Sequence, residues 1–593
     1  MTERTQHDDA APGSPDPKKV HTFDLIDEVP GVSAGAAGPD DAGDEPVAEP
    51  DPEEAAPREP GRVARAVTAA RGAVGRTARR GAAAVRRRVP ATRRGRVLLV
   101  GGVAAAVVLA VVAGALLDAQ LRHRDLIAAP GGVRSLAERP AEQWSIDLDN
   151  PIASTLVEMP GVLAVIADGT VQGVDPESGA VRWTVDVGEG ARCGPTPWLG
   201  IGGPATTMPA DPLVCVTTSE GGQAEQGVTV VDADGAVTTR ELDPGTIVLP
   251  GSDGALIRLQ LAGDGHGPEP VVVDKVGTPH LPKGFTAPDL TVRVEDAVTG
   301  TERWSATVAS GRPDPNYCLT YHQEVDDDSP TPVLDVEGVL NANLQQGILE
   351  IEGCGVSAAF LLDGTRLDDP DDATDLTDAT AAGQFTALPG GGWVGPDPAA
   401  GRVDETGRPS QVVHLPDGRT VPLDGRVLVP WSTDGRDPGL LLVRAGVHTE
   451  AVSTDERDAG SRLWTSSPRL RATDLLASVG GTAVVVDELG PVRAVDLGTG
   501  AVRWTLDPEV LGFEEGVWDA ASTIFGAYTD GDVLLLPVTA DPQGGASGLR
   551  LVAVDLRDGS VRWEIEQETP YTQIVSVDGY LAQITQHGVV GLG

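Results

Sequence analysis

Four segments of this chain repeat one pattern: Asp175 to Trp183, Asp296 to Trp304, Asp496 to Trp504 and Asp555 to Trp563. Each begins with Asp, has Gly four residues on, and ends in Arg-Trp. A fifth segment, Glu456 to Trp464, keeps Gly460 and Trp464 but carries Glu and Leu at the flanking positions. Self-similarity at fixed spacing restricts the chain to a repeat architecture. Asp175, Asp296, Asp496 and Asp555 end apolar or alternating runs, so each predicts a strand end whose carboxylate accepts backbone N–H bonds and closes a turn. Gly179, Gly300, Gly460, Gly500 and Gly559 supply positive φ in a bulged hairpin turn, after which the chain returns as a strand. Trp183, Trp304, Trp464, Trp504 and Trp563 then share a strand face with the positions two and four before them, where the indole fills the gap between neighbouring sheets. Packing, not ligand binding, is the role this spacing predicts. The 74 Gly and 47 Pro of the 593 residues agree with many turns and favour β structure over long helices.

The motif resembles the PQQ-type (quinoprotein) β-propeller repeat, Ala-x-Asp-x-x-x-Gly-x-x-x-Trp. Ala494-Val495-Asp496 and Ala553-Val554-Asp555 match its leading Ala, and the resemblance extends from about Trp144 to the C-terminus. It implies an all-β fold, a β-propeller of about eight four-stranded blades over residues 141–593. The resembled family includes quinone-dependent dehydrogenases and also non-catalytic envelope scaffolds, among them the outer-membrane assembly lipoprotein of Gram-negative bacteria. Trp144, in AEQWSIDL, has the Trp strand of a repeat with nothing of that repeat before it, whereas the C-terminal GYLAQITQHGVVGLG has the leading strands with no Trp after them. Joining the two completes a blade and removes exposed sheet edges. Full markers at Trp144, Trp183, Trp304, Trp464, Trp504 and Trp563, with degenerate turns near Gly235, Gly364 and Gly418, make nine candidates. Propellers usually have four to eight blades, so eight are expected, with one weak marker being an insertion hairpin and residues 240–450 holding embellished blades.

Residues 97–117 are 21 residues without a charge. As a helix they span ~31 Å, enough to cross a hydrocarbon core. Arg86, Arg87, Arg88, Arg93, Arg94 and Arg96 crowd one flank against Arg122, His123 and Arg124 on the other. The positive-inside rule therefore places residues 1–96 in the cytoplasm and the body outside, in a single-pass cell-membrane protein. The rival is a cleaved signal peptide, since Ala113-Gly114-Ala115 has the small-x-small form of a cleavage site; the long stretch ahead of the apolar run favours an uncleaved anchor. The organisation expected is a disordered acidic cytoplasmic arm (1–60), an Arg-rich juxtamembrane segment (61–96), the transmembrane helix (97–117), a linker (118–140) and the extracytoplasmic propeller (141–593). An apolar island at Phe23 to Val29 is a candidate linear motif within the arm.

The formal net charge of −43 lies entirely beyond residue 96, because the acidic excess of residues 1–60 cancels the twelve Arg of residues 61–96. An acidic body argues against nucleic acid as a partner. Cys193, Cys215, Cys318 and Cys354 all fall outside the membrane, where disulfides persist. Four Cys allow three connectivities, of which the local pairs Cys193–Cys215 and Cys318–Cys354 are favoured. C-x-x-C spacing for a metal is absent. Acidic runs at Asp326-Asp327-Asp328 and at Asp368, Asp369, Asp371, Asp372, Asp375 and Asp378 lack calcium-loop spacing and predict solvated loops. The chain has no H-E-x-x-H, G-x-S-x-G or P-loop. It also lacks the adjacent Cys-Cys pair typical of the catalytic quinoproteins, and their calcium-binding carboxylates have no residue-by-residue counterpart. The expectation is a non-catalytic binding or scaffold module of the bacterial cell envelope, without catalytic, cofactor or metal residues, whose partner is a protein, peptide or wall component. The alternatives are a PQQ-dependent dehydrogenase and a transmembrane sensor signalling through its cytoplasmic arm.

Overall fold

Short apolar runs alternating with Gly-bearing turns fold residues 155–186 into an antiparallel sheet of four strands in chain order, Thr155–Met159, Val162–Ala167, Thr170–Val174 and Val181–Asp186. The second strand, VLAVIA, is buried at every position, as a continuous apolar run covered on both faces should be. The fourth is largely exposed. The computed structural model describes residues 118–593 apart from 196–208, 218–225, 244–246, 264–268, 276, 323–330, 369–384, 398–409, 467–469, 489, 513–522, 540–547 and 568–572. All of these described residues belong to one compact unit, Ala105–Gly593.

The same unit recurs along the chain. Second and third sheets span 192–242 and 247–308, and a fourth at 341–361 has three strands plus a bridge from Phe360 to Arg366. The fifth covers 386–423 and the sixth 426–465. The seventh, 472–506, gains Pro430–Thr433 as a parallel fifth strand beside Ala472–Val479. An eighth occupies 528–567, and the ninth joins three strands of residues 574–592 to Glu142–Asp147. Nearly every interface between consecutive sheets is a cluster of buried side chains. Cys193 and Leu213 of the second sheet pack on Val157 and Val171 of the first, and Phe360 of the fourth on Val292 of the third. Trp504 of the seventh packs with Leu534 of the eighth. The fourth and fifth sheets are joined where the Phe385 amide donates to Glu350 Oε1 at 3.3 Å. Val575 and Ala582 of the ninth pack on Leu156 and Val165 of the first, which closes the cycle.

Among the described residues the sheets in this cycle number nine, where about eight were expected. The turns near Gly235, Gly364 and Gly418, one of them assigned to an insertion, each belong to a sheet of the cycle. The actual insertion is built from two segments, residues 269–289 and 309–334, on either side of the third-sheet strands Leu290–Asp296 and Glu302–Val308, and forms two small sheets, one of Glu269–Pro270, Thr331–Leu334 and Leu319–His322, the other of Val272–Val273 and Pro279–His280. Its strands are too short to register in the sequence pattern.

Closure uses the N-terminal strand as expected: Trp144 pairs with Gly591 and Asp147 with Gly588. The expected linker at 118–140 needs correction. Residues 118–128 are helical, and Leu126, Val133 and Leu136 are buried. Backbone bonds run from Val133 N to Thr529 O (2.8 Å), from Thr529 N to Gly131 O (2.8 Å) and from Arg134 N to Gly579 O (2.9 Å). Residues 131–136 are thus a strap seated on the eighth and ninth sheets. The apolar segment 97–117 and everything before it lie outside the described residues, among which no helix is long and apolar enough to cross a membrane.

Candidate functional site

The repeat turn is a clamp. In four sheets the Asp backbone oxygen accepts from the Gly amide: Asp175 from Gly179, Asp296 from Gly300, Asp496 from Gly500 and Asp555 from Gly559. Each glycine has φ between +70° and +76°, as the turn requires. One carboxylate oxygen accepts from amides inside the turn, such as Ser178 N at 2.9 Å or Thr299 N at 2.8 Å. The other is paired with the Arg seven residues on: Arg182 with Asp175, Arg303 with Asp296 at 3.5 Å, Arg503 with Asp496 at 2.6 Å and Arg562 with Asp555 at 2.6 Å. The Arg182 hydrogen bond and the Ser178 amide bring Asp175 down to about 2, and Asp296, Asp496 and Asp555 are lowered for the same kind of reason. Reading the sequence assigned the Asp and Gly but gave the Arg no role. Its partner becomes visible only with the bulge between the third and fourth strands, seen at Ala494/Val495 and Ala553/Val554.

Each repeat Trp laces its sheet to the next. The indole N–H of Trp183 donates to Ala233 O (3.0 Å), Trp304 to Leu362 O (2.8 Å), Trp464 to Leu497 O (2.7 Å), Trp504 to Leu556 O (2.9 Å) and Trp144 to Pro176 O (3.2 Å). The acceptor is the carbonyl at the start of the turn in the following sheet. Trp563 has no such turn ahead of it in the ninth sheet and donates instead to Leu136 O of the strap at 2.8 Å. In the second sheet, which has no Trp, Arg240 takes the position: its Nε donates to Ala297 O at 3.2 Å, and its Nη2 pairs with the buried Glu295 at 2.6 Å. The residue across the strand from Trp is small at Gly173, Gly591, Ala494 and Ala553, and is Val294 opposite Trp304. A Cβ on Gly173 would come 2.0 Å from the Trp183 ring.

The remaining candidates are structural as well. Cys193–Cys215 is a cross-strand disulfide in the second sheet, and Cys318–Cys354 joins the insertion to the fourth sheet. Asp368 is held by Arg366 at 2.6 Å, whereas Asp326 to Asp328 and Asp369 to Asp378 lie outside the described residues. Among the described residues no cluster of His, Cys, Asp and Glu is arranged to hold a metal. A cleft of about 610 Å³, in the size range of small-molecule sites, opens between the fifth, sixth and seventh sheets, lined by Leu388, Leu415, Leu428, Leu441, Leu475 and Arg419.

One carboxylate stands apart. Glu158 is pushed up to about 7 by burial and by the neighbouring Asp578 carboxylate. A raised value in the folded state favours the neutral acid, so this group's contribution to stability is complete below its ordinary value of 4.5 and lost as pH rises through 7. Glu158→Gln should remove that part of the decline in melting temperature between pH 4.5 and 7. An unchanged pH slope in the variant would contradict the assignment.

Residues 435–590 match the family model described as outer membrane protein assembly factor BamB. The chain carries PQQ-type propeller repeats. The matched stretch runs from the sixth sheet into the ninth and contains Trp464, Trp504 and Trp563 together with the clamp turns at Asp496 and Asp555. No curated protein matches the chain significantly. Among solved structures, BamB from Moraxella catarrhalis is 13% identical, with 77% of this chain and 97% of that chain covered and a TM-score of 0.35. The quinohemoprotein alcohol dehydrogenase of Comamonas testosteroni is 14% identical, with 77% and 76% covered and a TM-score of 0.31. The designed protein Ika8 is 10% identical, with 76% and 99% covered and a TM-score of 0.32. The PQQ-type assignment rests on the family match and on the clamp geometry.

Proposed function

We propose that the protein is a membrane-anchored, non-catalytic binding or scaffold module of the bacterial cell envelope, with its N-terminus in the cytoplasm and its nine-bladed propeller outside. The observation that carries this reading is the match of residues 435–590 to a family described by assembly. The polar residues of the repeat support it: Asp and Arg neutralise each other within the turn, and Trp is committed to the next sheet. Two disulfides suit an oxidising compartment, and the Arg-flanked segment 97–117 suits a span with that orientation. In this reading the partner is an envelope protein, peptide or wall component, and neither PQQ nor a metal is used.

The test has two arms. Full-length protein incubated with PQQ and calcium should retain no quinone chromophore and reduce no dye after desalting. A photo-crosslinker at the exposed Tyr321 of the insertion should capture one reproducible envelope component in intact cells. Stoichiometric quinone with dye reduction would overturn the reading in favour of a quinoprotein dehydrogenase.

A further inference from the structure

The two ends of the strands differ in what they carry. In the first sheet Arg182 Nη1, beside the third-to-fourth turn, donates to Gly161 O in the first-to-second turn at 2.9 Å. Ala297 N to Gly254 O (2.9 Å), Leu497 N to Gly481 O (2.9 Å) and Leu556 N to Asp532 O (2.9 Å) tie the same two turns in the third, seventh and eighth sheets. These turns form one face, and the N-terminal segment runs across it. Asp125 O approaches Gly435, Thr433 N donates to Pro130 O at 3.2 Å, Ile127 lies against Gly579, and Leu136 N donates to Asp530 Oδ2 at 2.7 Å. The helix at 118–128 therefore reaches the body on the clamp-turn face, fixed by hydrogen bonds and not by a free tether.

The insertion lies at the other end. In the third sheet Ala255 pairs with Asp296 at the clamp-turn end, and Leu261 pairs with Leu290 at the opposite end, from which the chain leaves into the insertion and to which it returns. Seven residues of strand separate the two ends by roughly 20 Å. The insertion carries the two most exposed large hydrophobic residues among those described, Val272 at 74% and Tyr321 at 62%, and both lysines found beyond residue 96, Lys275 and Lys283.

We infer that the clamp-turn face is the lipid-facing surface of the propeller, lying against the bilayer, and that the insertion of residues 269–289 and 309–334 is held on the far side for the partner. The inference rests on the proposed membrane anchor: residue 118 directly follows the apolar segment, and the docked strap leaves no slack with which the body could turn over. Because the described residues contain no free cysteine, single introduced thiols are selective labelling sites. The full chain is reconstituted in liposomes doped with an acceptor-labelled lipid, with a donor dye on Ser178→Cys or Asp558→Cys at the clamp turns, or on Lys275→Cys or Tyr321→Cys in the insertion. Energy transfer from the first pair should exceed that from the second by at least about twofold, given the ~20 Å between the ends. Equal or reversed transfer in protein that floats with the liposomes overturns the orientation alone. Protein that fails to float with them overturns the anchor, and the orientation with it.

Discussion

Replacing Trp504 with Ala will cost the fold about 3–5 kcal/mol, the range for truncating a buried large aromatic side chain. Trp504 is 7% exposed within the cluster that joins the seventh and eighth sheets. Its ring covers Gly559, where a Cβ would come 2.8 Å from the indole, and its N–H satisfies Leu556 O. Removing it leaves a cavity between two sheets and a turn carbonyl without its donor, two losses that add. Glu566→Ala, on the exposed side of the neighbouring strand Val561–Gln567, should stay within about 0.5 kcal/mol. Denaturant unfolding of the two variants separates them, and equal shifts would contradict the lacing role.

Deleting residues 130–147 will open the cycle. The ninth sheet would lose its fourth strand, baring the edge of Gly588–Leu592, and Trp563 would lose the Leu136 carbonyl it donates to. An exposed edge is a template for pairing with another chain, so the variant should self-associate and melt well below the intact protein. Sedimentation and thermal melting check this. A deletion variant with unchanged association state and melting would show that the strap and terminal strand are dispensable.

What could be read from the residues was whatever repeats within a short window. Asp496 to Trp504 states its own turn, and the positive φ of Gly500 and the packing of Trp504 follow from spacing alone. The incomplete halves at Trp144 and at the C-terminus were equally legible, because each lacks what the other supplies. Contacts without a local signature were not. Leu136 meets Trp563 from 427 residues away. Arg240 stands where a Trp was sought, so the second sheet was marked only by its degenerate turn near Gly235, although it uses the same acceptor position, Ala297 O. In the fifth sheet Val421, not an indole, packs toward Gly460. Substitutions of this kind preserve the geometry while weakening the motif: each of the nine candidate markers belongs to a sheet of the cycle, and eight were expected only because one weak marker was assigned to an insertion hairpin. The insertion was illegible for a different reason, since its short strands belong to no repeat.

The central claim is that indole N–H groups lace consecutive sheets into a closed cycle, and their exchange with solvent tests it most directly. With 15N-labelled Trp, the ten indole signals can be assigned by single Trp→Phe variants and followed in deuterated buffer. The account predicts slow exchange for Trp144, Trp183, Trp304, Trp464, Trp504 and Trp563, with Trp563 alone among them losing its protection directly when Leu136 and the strap are removed. Rapid exchange at these six positions in the intact, folded protein would contradict it.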